Sequence, residues 1–209
     1  MAKHLDGAFE VLRAHFSKRI DLTDEEFEFI TTLFVPRKIR KRQFLLREGE
    51  VSGYGAFVSK GCLRKYSVDA KGEEHIVQFA IEDWWIGDQE SLKTGRPSTY
   101  NIDALEESEL LLLDKASSEE FFSSSPKIER FMATLAQNAM EALQRRITTF
   151  LSMSAKEKYL FMIATYPKII QRIPQRHIAS YLGLTPESLS RVRKELAEEK
   201  SKYYERKRD

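Results

Sequence analysis

Cysteine occurs once in these 209 residues, as Cys62. A single thiol rules out a disulfide framework, a cysteine-based zinc site and a four-cysteine iron–sulfur cluster. Such sparing use of cysteine fits a reducing cytoplasm. Long apolar runs are missing too. The opening stretch MAKHLDGAFEVLRAHF has no apolar core of signal-peptide length, and no window reaches the length of a membrane span. A cytoplasmic protein with no membrane partner is expected. Internal repeats and low-complexity tracts are absent as well. So are the marks of enzymes: no GxxxxGK[ST] loop, no HExxH, no nucleophile–base arrangement and no carboxylate pair in a recognisable context. Asp88 with Glu90 reads as turn chemistry. His4, His15 and His177 are far apart in sequence and suggest no metal cluster.

What is present is enough for a folded protein. At 24.3 kDa and 42% apolar residues, the chain can build two small domains or one large one. Net charge is only +2, but it is unevenly spread. From Lys156 onward 13 Lys and Arg face 7 Asp and Glu, a balance of +6, while the preceding residues balance at −4. An acidic front and a basic tail point to a polyanion meeting the tail, with a solubilising face as the plainer alternative.

Residues 4–34 read as helical, with Asp21 and Thr23 as a cap signal and Pro36 as the stop. From about 37 to 114 short β-prone runs alternate with turn signals, the texture of a small all-β roll or sandwich. In EEHIVQFAI, the alternation places His75, Val77, Phe79 and Ile81 on one face and Glu74, Ile76 and Gln78 on the other. The basic run PRKIRKRQ is expected to be a lysine-rich edge strand rather than a nucleic-acid patch. Helical patterning returns at Ser117, first as a short capped helix in SSEEFFSSS. A long helix follows from about Pro126, at its first position, to Leu151. Its stripe of Met132, Leu135, Ala139, Leu143, Ile147 and Phe150 can pack back on the β domain or pair with a second copy. Alanines 136, 139 and 142 favour pairing. MSAKEKYLFMIATYP forms a further helix that ends at Pro167.

The most informative stretch is HIASYLGLTPESLSRVRKEL. A helix from about Pro174 to Leu182 is ended by Gly183, which can take the left-handed conformation. Thr185 caps a second helix and Pro186 opens it. Leu189, Val192 and Leu196 share its buried face, while Pro186, Glu187, Ser190, Arg191 and Lys194 share the opposite one. Ala179, Ser188 and Ser190 are small enough for helices to cross closely and for the second to sit deep in a groove. Arg191 can donate two hydrogen bonds to guanine, and Glu187 can accept one from cytosine. The plainer alternative is an i,i+4 surface ion pair between Glu187 and Arg191.

The order helix, β roll, long helix, helix–turn–helix resembles the Crp/Fnr family of bacterial transcription regulators over nearly the whole chain. IPQRHIASYLGLTPESLSRVRKEL is similar to that family's recognition-helix signature. LLREGE with Gly49, SKGCLR with Gly61, DAKGEE with Gly72 and WWIGDQESL with Gly87 resemble the turn glycines of its cyclic-nucleotide-binding roll. The resemblance implies an α+β fold with a cyclic-nucleotide-binding-like effector domain over 1–116. A linker and long dimerisation helix would follow over 117–152, and a helix–turn–helix DNA-binding domain over 153–209. It implies a homodimer on double-stranded DNA, with recognition helices ~34 Å apart, Lys and Arg on the phosphates, and RNA polymerase as a further partner. The DNA-binding set implied is Gln175, Arg176, Thr185, Pro186, Glu187, Ser190, Arg191 and Lys194.

Two departures from the family pattern shape the expectations. Cyclic-AMP-responsive members grip the ribose with Gly-Glu and the phosphate with Arg-Ser or Arg-Thr. Here Gly87-Asp88 and Ser98-Thr99 stand in those places, and the arginine position is Ser98. Arg96 lies in a turn between Gly95 and Pro97 and is expected to point elsewhere. The polar pair on the long helix becomes Glu141-Ala142. Gly87, Asp88, Ser98, Thr99 and Glu141 are thus candidates for an effector pocket that does not bind cyclic AMP in the usual manner, that takes another small ligand, or that is collapsed. Tyr100, Trp84 and Trp85 read as pocket lining or, more commonly, core aromatics. His75 lies where some members ligate haem, but on a strand it reads as a packed or surface histidine, so no cofactor is expected. Second, AEEKSKYYERKRD lacks the strand alternation of the family's C-terminal wing, so the recognition helix is expected to run long into a basic tail. A transcription regulator is the leading reading; a ligand-sensing or protein-interaction module whose wingless helix pair no longer holds DNA is the alternative.

Overall fold

The computed structural model describes residues 6–205; the expectations for residues 4–5 and for the basic tail at 206–209 lie outside these. The chain divides into two compact units, Met1–Met140 and Glu141–Asp209.

The first unit opens with helices α1 (Asp6–Ser17) and α2 (Asp24–Thr32). Thr23 caps α2 in a reciprocal box with Glu26. The strands β1 (Val35–Ile39), β2 (Phe44–Leu46), β3 (Tyr54–Lys60), β4 (Leu63–Val68), β5 (Glu74–Ala80), β6 (Trp84–Ile86), β7 (Asn101–Ala104) and β8 (Ser108–Asp114) then form the roll. They make two four-stranded antiparallel sheets, ordered β1-β8-β3-β6 and β2-β7-β4-β5. Helix α3 (Gln89–Thr94) lies between β6 and β7, and α4 (Lys115–Ser123) leads into α5 (Pro126–Ser152).

Two cores meet at the first sheet. Between the sheets lie Ile39, Ala56, Val58, Leu63, Ile86, Ile102, Leu110 and Leu112. On the sheet's other face Phe57, Leu111 and Leu113 pack with Leu12, Phe16, Ile30, Phe34, Phe121, Ile128 and Phe131 of the helices. Strand β8 is therefore buried on both sides, which is why residues 110–113 are four consecutive leucines rather than an alternation. The N-terminal part of α5 contributes Ile128 and Phe131 to this helical core, with Met132 and Leu135 packed at its margin. Those two members of the long helix's stripe therefore pack back on the roll.

Three local expectations need correction. Helix α2 ends at Thr32 with Leu33 as its C-cap, so Pro36 is not its stop. Pro36 instead sits in β1, at an edge of the first sheet opposite Leu111, where a missing N–H is tolerated. The alternation in β5 is broken: Ile76 and Phe79 are buried while His75 is exposed. The β4–β5 register shifts between Lys65 and Tyr66, leaving Val77 as the extra residue of a bulge. Finally, α4 begins at Lys115 and is capped by Asp114, which accepts from the Ser117 amide, rather than by a serine.

The second unit holds the remainder of α5, then α6 (Ala155–Thr165), α7 (Pro167–Ile170), α8 (Gln175–Leu182) and α9 (Pro186–Glu205). Ser154 and Glu157 form a second capping box at the start of α6. Tyr159, Met162, Ile169, Ile173, Ile178, Ala179, Leu182, Leu189 and Val192 are its buried apolar side chains, joined by the buried polar Thr149 and His177. Leu196 is half-buried. Among the described residues no helix is long and apolar enough to cross a membrane.

Candidate functional site: the α8–α9 pair and the roll interior

Helices α8 and α9 are joined by a three-residue turn. Gly183 ends α8 with φ +64°, and its amide bonds back to the carbonyls of Ala179 and Ser180. A Cβ at Gly183 would lie 2.1 Å from Cε2 of Phe150, so the ring of α5 occupies the space a side chain would need. Thr185 accepts the Ser188 amide at 3.1 Å, and Pro186 starts α9 without needing an N–H. Ala179 is fully buried, as the close crossing of two helices requires.

On the outer face of α9, Pro186, Glu187, Ser190, Arg191 and Lys194 line one shallow, open depression. All five are exposed. The i,i+4 pair considered from sequence is not formed: among the described residues Glu187 and Arg191 lie in no ion pair, whereas Lys194 reaches Glu198 at 4.0 Å. Gln175 and Arg176 are exposed in the first turn of α8, outside that depression, and Thr185 is used as a cap. The helix continues to Glu205 without a strand, 20 residues or about 30 Å. Its far half is tied to α6 by Lys156, which donates to Glu195 at 2.9 Å and Glu199 at 2.6 Å. Sequence reasoning missed this anchor because it joins residues about 40 positions apart.

Two of the roll's candidate pocket residues, Asp88 and Ser98, are engaged with each other. Asp88, only 5% exposed, caps α3 by accepting from the Ser91 amide at 3.2 Å. Ser98 donates its hydroxyl to Asp88 at 2.6 Å and accepts from the Tyr100 amide at 3.0 Å. Burial pushes the Asp88 carboxyl up, but the bonds from Ser98 and Ser91 and the nearby Lys65 charge outweigh it and hold it below its ordinary value. Lys65, half-buried on β4, donates its ammonium to the Gly87 carbonyl at 3.1 Å and lies 4.1 Å above the Tyr100 ring. Burial pushes the Lys65 ammonium down and Asp88 pulls it back up. The alternation of Leu63 and Lys65 on one strand face was the signal that could have found it. Thr99 and Arg96 are exposed. Glu141 belongs to the second unit, 3.6 Å from Arg145. Where a cyclic phosphate needs a charge-assisted fork, the roll offers Ser98 already bonded to an anion.

Trp85 is a core aromatic, packed around Phe57, Phe34 and Phe121, and Trp84 packs at the margin of the inter-sheet core. His75 is exposed with Nε2 3.0 Å from Asp69, and Glu73 completes a group whose ligand atoms lie within 4.8 Å of one another. Asp69 there also accepts the amides of Lys71 and Glu73, so its carboxylate shapes the hairpin turn.

The first unit thus carries a two-sheet β roll and the second a helix–turn–helix. Residues 36–125 match the family model of the cyclic nucleotide-binding domain. The probable transcriptional regulator flp of Lacticaseibacillus casei is 24% identical over 86% of this chain and 84% of its own length. The transcriptional activator protein anr of Pseudomonas aeruginosa is 28% identical over 75% and 68%. Among solved structures, FixK2 from Bradyrhizobium japonicum shares the fold with a TM-score of 0.69 at 18% identity, covering 79% of this chain and 85% of that one. The chain thus carries a cyclic nucleotide-binding domain over residues 36–125 and is similar along most of its length to transcription regulators of the Crp/Fnr type.

Proposed function

We propose that this regulator binds double-stranded DNA sequence-specifically as a homodimer, reading bases with α9. Its functional parts are an effector domain (1–116), a dimerisation helix (117–152) and a DNA-binding domain (153–209). The observation that carries the reading is the outer face of α9, where Glu187 and Arg191 are exposed beside Ser190 and Lys194 and, among the described residues, lie in no ion pair. Arg191 supplies the fork for guanine, Glu187 the acceptor for cytosine, and Gln175, Arg176 and Lys194 contacts for phosphate. Dimerisation is supported by the apolar stripe of Met140, Leu143, Ile147 and Phe150 on α5, each half or more exposed. Pairing two such stripes brings two recognition helices to successive major grooves, ~34 Å apart.

Selection of bound genomic fragments, followed by anisotropy titration, tests this. Arg191→Ala should weaken cognate binding by about 1–3 kcal/mol and relax preference at one base pair. Equal loss on cognate and random DNA refutes base reading by Arg191. The roll does not hold cyclic AMP in the usual manner: Asp88 and Ser98 satisfy each other and Lys65 covers Gly87. Calorimetry should detect no micromolar binding of cyclic AMP or cyclic GMP. One observation favours a second reading, a protein-interaction module that no longer holds DNA. Among the described residues α9 runs on as helix where the wing's phosphate contacts would be. Absence of salt-dependent retardation on any fragment selects that reading, with RNA polymerase as the partner to test.

A further inference from the structure

Asp88 and Ser98 of the roll are bonded to each other, but the second unit contains a cleft whose cations no part of the reading above uses, although Phe150 of the apolar stripe also lines it. It lies among the C-terminal part of α5, α6 and α8, a partly open cleft with a volume of about 70 Å3. That is below the ~300–1,000 Å3 of drug-sized sites, so it takes one ring or a charged group of a ligand whose remainder lies at the mouth. Its walls are aromatic: Phe150 of α5, Phe161 of α6 and Tyr181 of α8 all face it. Its charge has one sign. Arg145, Arg146 and Lys158 line it, and no Asp or Glu does, although Arg145 also reaches Glu141 at 3.6 Å. Arg146 is held in place, donating to the Tyr181 carbonyl at 3.0 Å with its guanidinium 3.9 Å above the Tyr181 ring. The Lys158 ammonium lies 4.5 Å above the Phe150 ring.

We infer that this cleft binds a small organic anion, a flat apolar body carrying a carboxylate, sulfonate or phosphate. The aromatic walls take the body and the three cations take the charge. A desolvated cation favours an anionic partner more than water-exposed lysine does, and burial lowers the affinity of the Arg146 guanidinium for its own proton, a cost that a bound anion relieves. The location gives binding a consequence. Phe150 lines the cleft and also abuts Gly183 in the α8–α9 turn. A ligand that moves this ring acts on the base of the recognition helix. The inference rests on the proposed DNA-binding role only for this regulatory consequence.

The test uses the full-length protein without DNA and two fluorescent probes with similar aromatic bodies. These are 1-anilinonaphthalene-8-sulfonate, an anion, and N-phenyl-1-naphthylamine, which is neutral. The sulfonate should bind once per chain, saturably, and at least about tenfold more tightly than the neutral probe, the worth of one charge-assisted contact. Lys158→Met should weaken the sulfonate about five- to tenfold. Thr165→Trp, at an exposed helix position lining the cleft, should abolish binding by filling it. Far-UV dichroism checks that both variants keep their helices, and whichever keeps them decides the matter. Absence of saturable binding, equal affinity for the two probes, or binding unaffected by the folded variants overturns the inference. Failure of DNA binding with normal probe binding counts only against the regulator reading, because Arg191→Ala leaves the cleft untouched.

Discussion

Replacing Gly183 by alanine separates two physical costs that meet at one atom. The backbone there has φ +64°, a region in which a Cβ costs about 1–2 kcal/mol. In addition, the new methyl would lie 2.1 Å from Phe150 Cε2 and 2.9 Å from Cζ, far inside van der Waals contact. The ring is 52% exposed and can swing outward, so the second cost is the ring's lost packing rather than a hard clash. About 1 kcal/mol is a fair figure for a half-buried aromatic. Gly183→Ala should therefore destabilise the second unit by about 2–3 kcal/mol. Phe150→Ala alone should cost about 1 kcal/mol. The double variant should cost less than the sum, because only the backbone term persists. Both tryptophans, Trp84 and Trp85, lie in the first unit. Tryptophan fluorescence in urea therefore follows the roll, while far-UV dichroism follows the helices of both units and so also reports the second. The variant should shift the dichroism transition and leave the fluorescence transition in place. A dichroism shift below about 0.5 kcal/mol, or strictly additive single variants, would refute the claim that a left-handed turn and an aromatic lid share this position.

Further perturbations test other parts of the structure. Leu111, fully buried among the helices' side chains, should cost about 2–5 kcal/mol when cut to alanine, read by the fluorescence transition. Ser98→Ala removes the donor to a buried Asp88 carboxylate and should destabilise the roll by about 1–3 kcal/mol, an effect absent if the pair is broken in solution. His15 is 2% exposed, with Nδ1 2.6 Å from Asp83 and Nε2 accepting from Trp85 Nε1 at 3.4 Å. Burial depresses its pKa below 6.5, against the pull of Asp83, so the unfolded chain takes up a proton first as pH falls. Roll stability should be full above 6.5 and decline below it until the folded histidine also titrates, and His15→Gln should flatten that slope between pH 7.5 and 5.5.

Much of this was legible in the sequence because local chemistry and tertiary role agree. The Gly183, Thr185, Pro186 sequence encodes a helix stop, a cap and a first turn within four residues, and each does that job. Pro126 likewise opens α5. Legibility fails where a residue's role is set by a partner strand. The period-two reading of β5 could not see that β4 shifts register at Lys65 and Tyr66, which sends Ile76 and Phe79 inward together. Pro36 looked like a helix stop because its strand is an edge, and an edge is a property of the sheet order rather than of the residue.

The same distinction explains why the two candidate sites were unequally visible. The outer face of α9 follows from one helix's periodicity, so Glu187, Ser190, Arg191 and Lys194 could be placed together from spacing alone. The state of the roll interior depends on strands remote in sequence. Missing arginine at position 98 shows only that a phosphate fork is gone. That Ser98 has turned to Asp88, and that Lys65 from another strand has reached Gly87, are facts of tertiary geometry. Together they change the meaning of the substitution. A roll that had merely lost its arginine would be a weakened receptor, rescued by Ser98→Arg. A roll whose polar groups are already mutually satisfied is a closed scaffold, and there Ser98→Arg should leave cyclic AMP binding undetectable, because the new guanidinium meets Asp88 before any ligand does. Calorimetric binding of cyclic AMP to Ser98→Arg, in the micromolar range or tighter, would show that the interior is open and that only the charge is missing.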